Sequence, residues 1–241
     1  MNKVFNTVWN ESTGMWVVTS ELTRKGGRRP RQIKRTVLAG LIAGLLMPSQ
    51  PVLAAAYDNQ TLGSGGTSSS MSLGAGDTAT NTTVNSGGTQ RVSSGGSATS
   101  TTINGGYQYV YSGGAATSTT INRGSQYVST AASVTDTTVH SGGKLTVYTG
   151  GSAVNVTQNS GSIIEANTSS ILNGNNANGS FSVAGGSASN MLLENGGYLR
   201  ILNGHQAKDT TLNSGGSLLV ENGGSATSTT INGGAQNVSR G

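Results

Sequence analysis

Branched apolar residues recur along most of this chain every 18 or 19 residues, each inside a short stretch where apolar and polar positions alternate. One column holds Val84, Ile103, Ile121, Val139, Leu193, Leu212 and Ile231, with Gln158 as its polar member. A second holds Val92, Val110, Val128, Val147, Ile201, Val220 and Val238, with Ala166 as its weakest member. Alternation of period two marks strands with one face turned to a core. Gly-Gly pairs such as Gly105-Gly106 and Gly215-Gly216 separate the stretches, at corners that call for positive φ. The segment Gly95–Ser112 returns almost letter for letter at Gly113–Thr130 and Gly223–Arg240, with weaker copies starting near Gly76, Ala131, Gly150, Gly185 and Gly204. So short a period predicts a solenoid. The glycine density disfavours helix. The fold class is therefore all-β: a right-handed parallel β-helix of 18–19-residue coils with two or three strands each, stacked about 4.8 Å apart.

The finer columns assign faces. Two residues before the second apolar column stand Gln90, Gln108, Gln126, Leu145, Leu199, Leu218 and Gln236, which read as a partly buried edge of the core. Between the two lies a column of mixed chemistry, Arg91, Tyr109, Tyr127, Thr146, Arg200, Leu219 and Asn237, whose parity turns it to solvent. The same alternation sets Thr101 inward, and Ser100 and Thr102 outward. Asn85, Asn104, Asn122, Asn213 and Asn232 follow the first column, where Asn suits left-handed corners and hydrogen bonds to a stacked Asn. Residues 57–75 read as an N-terminal capping segment and 76–241 as the repeat array, broken at 169–184 by an irregular coil or loop insertion.

Composition changes the picture only once the chain is divided near residue 56. The first part carries a net charge of +6 and the remainder −1. The basic balance of the whole chain thus belongs to the leader and gives no reason to expect a nucleic-acid partner. A basic stretch at 24–35, the apolar run Thr36–Met47 and the small residues Ala54, Ala55 and Ala56 follow the order of a secretory signal peptide, with cleavage expected at those alanines. The apolar run has 12 residues, against the ~20 needed to span a bilayer. Residues 1–56 therefore read as a long signal peptide. The exported part has no Cys and no Pro, so stacking rather than disulfides must hold it.

Chemistry is sparse. His140 and His205 fall at corner positions. The acids Asp58, Asp77, Asp136, Glu165, Glu194, Asp209 and Glu221 are scattered rather than paired, and no nucleophile–base, phosphate-loop or zinc spacing occurs. No catalytic, cofactor-binding or metal-binding residue is expected. The outward contact candidates are Ser100, Thr102, Tyr109 and Tyr127, with Tyr111 and Tyr148 extending a platform for sugars or partner chains.

Two motifs resemble known families. The stretch Met1–Gly27, with Met1-Asn2-Lys3, Phe5, Trp9-Asn10, Trp16-Val17-Val18 and Ser20-Glu21-Leu22, resembles the extended signal peptide region of large autotransporters and two-partner exoproteins. The repeat G-G-x-A-T-x-T-T-I-N-x-G-G-x-Q-x-V over 76–241 resembles that of AIDA-type self-associating autotransporter adhesins. The resemblance implies export by the Sec machinery and a β-helix displayed at the cell surface. It also implies self-association with like passengers in autoaggregation or biofilm, attachment to host-cell glycans or proteins, and modification of Ser and Thr by a heptosyltransferase. Such proteins end in a translocator barrel, and this chain stops at Gly241; it reads as a truncated passenger, exposed at the outer membrane where a barrel exists and otherwise periplasmic or secreted. The alternatives are a secreted polysaccharide-active β-helix enzyme, which requires clustered carboxylates, and a non-functional truncated fragment.

Overall fold

Each coil has three strand-forming faces, because three separate inward columns must be satisfied before the chain closes on itself. The computed structural model describes residues 5–10, 14–20 and 53–239. Residues 5–20 form a separate antiparallel hairpin, Phe5–Asn10 against Met15–Ser20, with Trp9 and Trp16 edge to face at 5.4 Å. The apolar run Thr36–Met47 lies outside the described residues. In the larger unit, Ser97–Thr99 forms the first face of a coil, and Thr102–Val110 then runs over the second and third. The equivalent segments of neighbouring coils pair parallel and in register: Ala98 with Ala79 and Ala116, Ile103 with Val84 and Ile121, Val110 with Val92 and Val128. No helix occurs among the described residues.

The core is a set of ladders. The two branched columns are buried from Val84 to Leu212 and from Val92 to Val220, while Ile231 and Val238 in the last described coil are exposed. A third interior ladder, Ala79, Ala98, Ala116, Val134, Ala153, Ala188 and Ala207, packs from the first face. Sequence reasoning passed over it, since Ala in a run of Gly, Ser and Thr does not stand out as apolar. The Gln column is not a partly buried edge: Gln90, Gln108 and Gln126 are fully inside. They are admitted because each amide bonds the next, Gln108 Nε2 to Gln90 Oε1 at 2.7 Å and Gln126 Nε2 to Gln108 Oε1 at 2.6 Å. Inward threonines close the network, Thr101 donating to Gln90 and Thr119 to Gln108. Buried polar groups are tolerated when their partners are complete.

The corners depart from expectation in two ways. The outer Asn row does stack, with Asn122 Nδ2 2.8 Å from Asn104 Oδ1 and Asn232 Nδ2 3.3 Å from Asn213 Oδ1. Left-handed backbone, however, falls at another column, Asn81, Ser100, Ser118, Asp136, Asn155 and Asp209. In most Gly-Gly pairs only the first glycine is there for its φ, Gly185-Gly186 having both in the left-handed region. Gly142 has φ +79°, and a would-be Cβ meets only Arg123 Cγ, in ordinary contact at 4.0 Å; at Gly143 a Cβ would lie 2.5 Å from the carbonyl oxygen of Ile121 in the coil below. Gly143→Ala is therefore expected to cost about 1–3 kcal/mol through overpacking, and Gly142→Asn well under 1 kcal/mol, since Asn tolerates the left-handed region. Thermal melts of the two variants check this; equal losses would contradict the assignment.

Gly179–Ala184 leaves the parallel path. Ile171–Asn176 stacks on the coil below, then Gly179–Ala184 returns antiparallel against it, and Ser187–Ser189 pairs antiparallel with that strand in turn. The first face thereby gains two strands, while on the third face Ile163–Asn167 pairs directly with Tyr198–Ile201. Phe181 is buried in the space this creates. On the second face the ladder breaks at Gln158, whose Nε2 donates to the Leu192 carbonyl at 3.0 Å, so its polarity serves the break. The register also slips: Ala166 pairs with Leu199 and not with Ile201. An alignment by repeat spacing misses this because the hairpin changes the number of rungs on one face alone.

Candidate functional site

The outward residues anticipated as one contact set are spread over the coil. Ser100 sits at a corner with φ +57°, which interrupts the alternation from Thr99 to Thr101, so it does not share a face with Thr102. Thr102 lies outward on the second face, between Thr83 and Thr120. Tyr109 and Tyr127 lie on the third. There the prediction of an aromatic platform meets its geometry. Parallel pairing sets Tyr109 directly against Tyr127, with ring centres 4.9 Å apart and planes within 10°. Tyr107 and Tyr111 flank Tyr109 at 6.2 and 6.1 Å, and Tyr148 stands 6.5 Å from Tyr127. Burial, with the Tyr127, Tyr111 and Tyr107 phenols close by, pushes the Tyr109 hydroxyl above its ordinary range despite Arg91 on the coil below.

The aromatic column stops at Thr146, and the smaller side chain opens a groove of about 260 Å³ lined by Thr146, Tyr148, Glu165, Asn167, Tyr198 and Arg200. The register slip sets Tyr198 against Glu165 and Arg200 against Asn167. The expected alignment of Arg200 with the Tyr column is thus corrected, and with it the reason the groove was not visible in the sequence. Its charges are matched: Glu165 takes Lys144 Nζ at 2.6 Å and the Thr146 hydroxyl at 3.0 Å, and Arg200 pairs with Glu221.

Other ionisable groups hold the stack together. Backbone N–H groups of Ala55 and Gly74 donate to Asp77 at 2.7 and 2.8 Å and keep its carboxyl below the usual range. Glu194, buried, accepts from the Gly161 N–H at 2.7 Å. His140 takes its place in the Asn row, 3.0 Å from Asn159 Nδ2. His205 is not an exposed corner: half-buried, its Nδ1 meets Thr168 Oγ1 at 2.8 Å, tying coils on either side of the inserted hairpin. Among the described residues, no three of His, Cys, Asp or Glu gather into a metal site.

Comparison with known proteins follows this division of the chain. The model of the extended signal peptide of type V secretion systems matches residues 1–50, and that of the adhesin of bacterial autotransporter systems, a probable stalk, matches residues 173–234. The chain is 76% identical over 209 residues to "Autotransporter CRAC" of Citrobacter rodentium, covering 86% of this chain and 13% of that protein. It is 80% identical over 92 residues to "Autotransporter adhesin/invasin TibA" of an enterotoxigenic Escherichia coli O78:H11, covering 38% of this chain and 9% of that protein. The chain thus spans only a small part of the length of either relative. A crystal structure of a TibA fragment hyper-glycosylated by TibC aligns with 77% of this chain and 97% of the fragment, at 38% identity and a TM-score of 0.42.

Proposed function

We propose, for a chain that belongs to the AIDA-type autotransporter adhesin passengers, that its β-helix is an exported, non-catalytic stalk holding cells together through many weak side-by-side contacts. The observation that carries this reading is the outward repetition: Thr83, Thr102, Thr120 and Thr138 follow one another on the second face, and an Asn row runs beside them. Identical donors and acceptors offered every 18–19 residues suit a second array lying alongside in matching register. Avidity then grows with the number of coils engaged. Among relatives, one is named an adhesin and invasin, which supports attachment to host cells as the companion role. The glycosylated TibA fragment supports modification of this chain's outward Ser and Thr, Ser100 and Thr102 among them, by a sugar transferase such as a heptosyltransferase.

Settling of cells that display the array tests the reading. Removing coils in succession is expected to slow settling stepwise, while Ser100→Ala, Thr102→Ala or Tyr109→Ala changes it less than twofold, as exposed polar contacts contribute little singly. Complete loss from any one of these in a folded array would replace distributed contact with a discrete receptor site. Failure of the intact displayed array to settle would remove self-association.

A further inference from the structure

We propose that the groove between Tyr148 and Tyr198 on the third face binds a single pyranose ring. The proposal rests on the reading of the array as an exported surface exposed to sugars, and it assigns a ligand class and a place on that surface. From Tyr109 to Tyr127 each ring covers its neighbour, so within the ladder mainly ring edges meet solvent. At Thr146 the column holds no ring, and the groove opens with Tyr148 and Tyr198 in its lining. Aromatic walls beside a few fixed polar groups favour a ligand with one apolar face and a hydroxylated rim. The C–H face of a pyranose supplies the first and its hydroxyls the second.

The polar lining narrows the class. Glu165 is already neutralised by Lys144, and Arg200 by Glu221. An anion such as a phosphate would therefore find no uncompensated cation, and a cationic peptide no free carboxylate. Arg200 keeps donors beyond those used on Glu221, since a guanidinium carries five N–H groups. Asn167 and Glu165 add acceptors, so a neutral polyol matches donors and acceptors alike. At about 260 Å³ the groove lies just below the ~300 Å³ at which drug-sized pockets begin, room for one or two rings and not for a folded chain. Two sources share this chemistry: a host hexose, and a sugar attached to the Ser or Thr of a neighbouring array.

The test uses the exported chain purified after secretion, probed with the methyl pyranosides of glucose, galactose, mannose, N-acetylglucosamine and a heptose. Saturation-transfer NMR is expected to show contact at ring C–H protons for at least one probe, with a dissociation constant on the order of 1 mM, as befits so small a ligand. A hexose preference points to the host source, a heptose preference to neighbouring arrays. Tyr148→Ala is expected to weaken binding at least tenfold. Thr146→Tyr is the sharper variant: it continues a column that already accepts Tyr109 and Tyr127, so it should fold while filling the groove. Lys208→Ala, exposed on the first face, should bind as the parent does. No saturation transfer from any probe to a folded chain, or undiminished binding by folded Thr146→Tyr, overturns the proposal. Lost sugar binding with unchanged settling in Thr146→Tyr supports the slot and leaves self-association standing. Sugar binding by an array that does not settle sinks self-association alone.

Discussion

Ile103→Asp is expected to destabilise its part of the stack by several kcal/mol, the largest loss among single changes considered. Ile103 is fully buried, with Val84 beneath it and Ile121 above, so a carboxylate there would lie between two hydrocarbon rungs with no cation in reach. Burying an unpaired charge is costly enough that the group takes up a proton or the structure opens. In a solenoid the opening should stay near the lesion, because each coil is held by its nearest neighbours. Hydrogen exchange is therefore expected to accelerate at 83–85, 102–104 and 120–122 before it does at 211–213. Tyr109→Ser should cost only about 1 kcal/mol. The outward assignment alone suggests a smaller figure, but stacking on Tyr127 contributes roughly 0.5–1.5 kcal/mol. Equal drops in denaturant midpoint for the two variants would mean that the inward and outward faces are exchanged.

The contrast between these two positions reflects what a single chain discloses. Ile103 was legible because a branched side chain at a fixed period has one physical reading, an internal ladder. Tyr109 was legible as outward by parity, yet its energetic weight depends on register with Tyr127, which only the pairing supplies. The alanine ladder was hidden by its small side chains, although Ala98 is as completely buried as Ile103. The left-handed column was hidden because Asn, Asp and Ser share the geometry without sharing a letter. The groove needed two facts at once, a missing ring at Thr146 and a register slip at Ala166, and the second arises from a hairpin whose strands look locally like any other coil. Reading Gln90, Gln108 and Gln126 as an edge was the reasonable inference for polar residues, since it left out partners that sit a whole coil away in sequence.

Those glutamines carry the second large effect. Gln108→Leu is expected to cost about 1–3 kcal/mol, even though Leu145 and Ile164 occupy later rungs of the same ladder. The substitution takes one of two partners from Gln90 Oε1, which keeps Thr101, and one from Gln126 Nε2, which keeps Thr119 Oγ1, and it removes the acceptor of the Thr119 hydroxyl. Each buried polar group left unsatisfied costs about 1–3 kcal/mol. Replacing the whole network should cost much less: Gln90, Gln108 and Gln126 to Leu, with Thr101, Thr119 and Thr137, whose hydroxyl donates to Gln126, to Val, is expected to lie within about 1 kcal/mol of the parent. The chain already contains this solution, because the inward Thr column becomes Val156 in the coil interval where the neighbouring rungs are Leu145 and Ile164, all three buried. It also contains the counterexample: the Thr82 and Thr210 hydroxyls, beside Met71 and between leucine rungs, are buried without a hydrogen-bond partner. Removing both sides of a buried hydrogen bond differs from removing one, and the sixfold variant being more stable than Gln108→Leu is the signature to seek in denaturant melts. Simple additivity, with the sixfold variant far less stable than the single one, would mean that the amides are held by something other than one another.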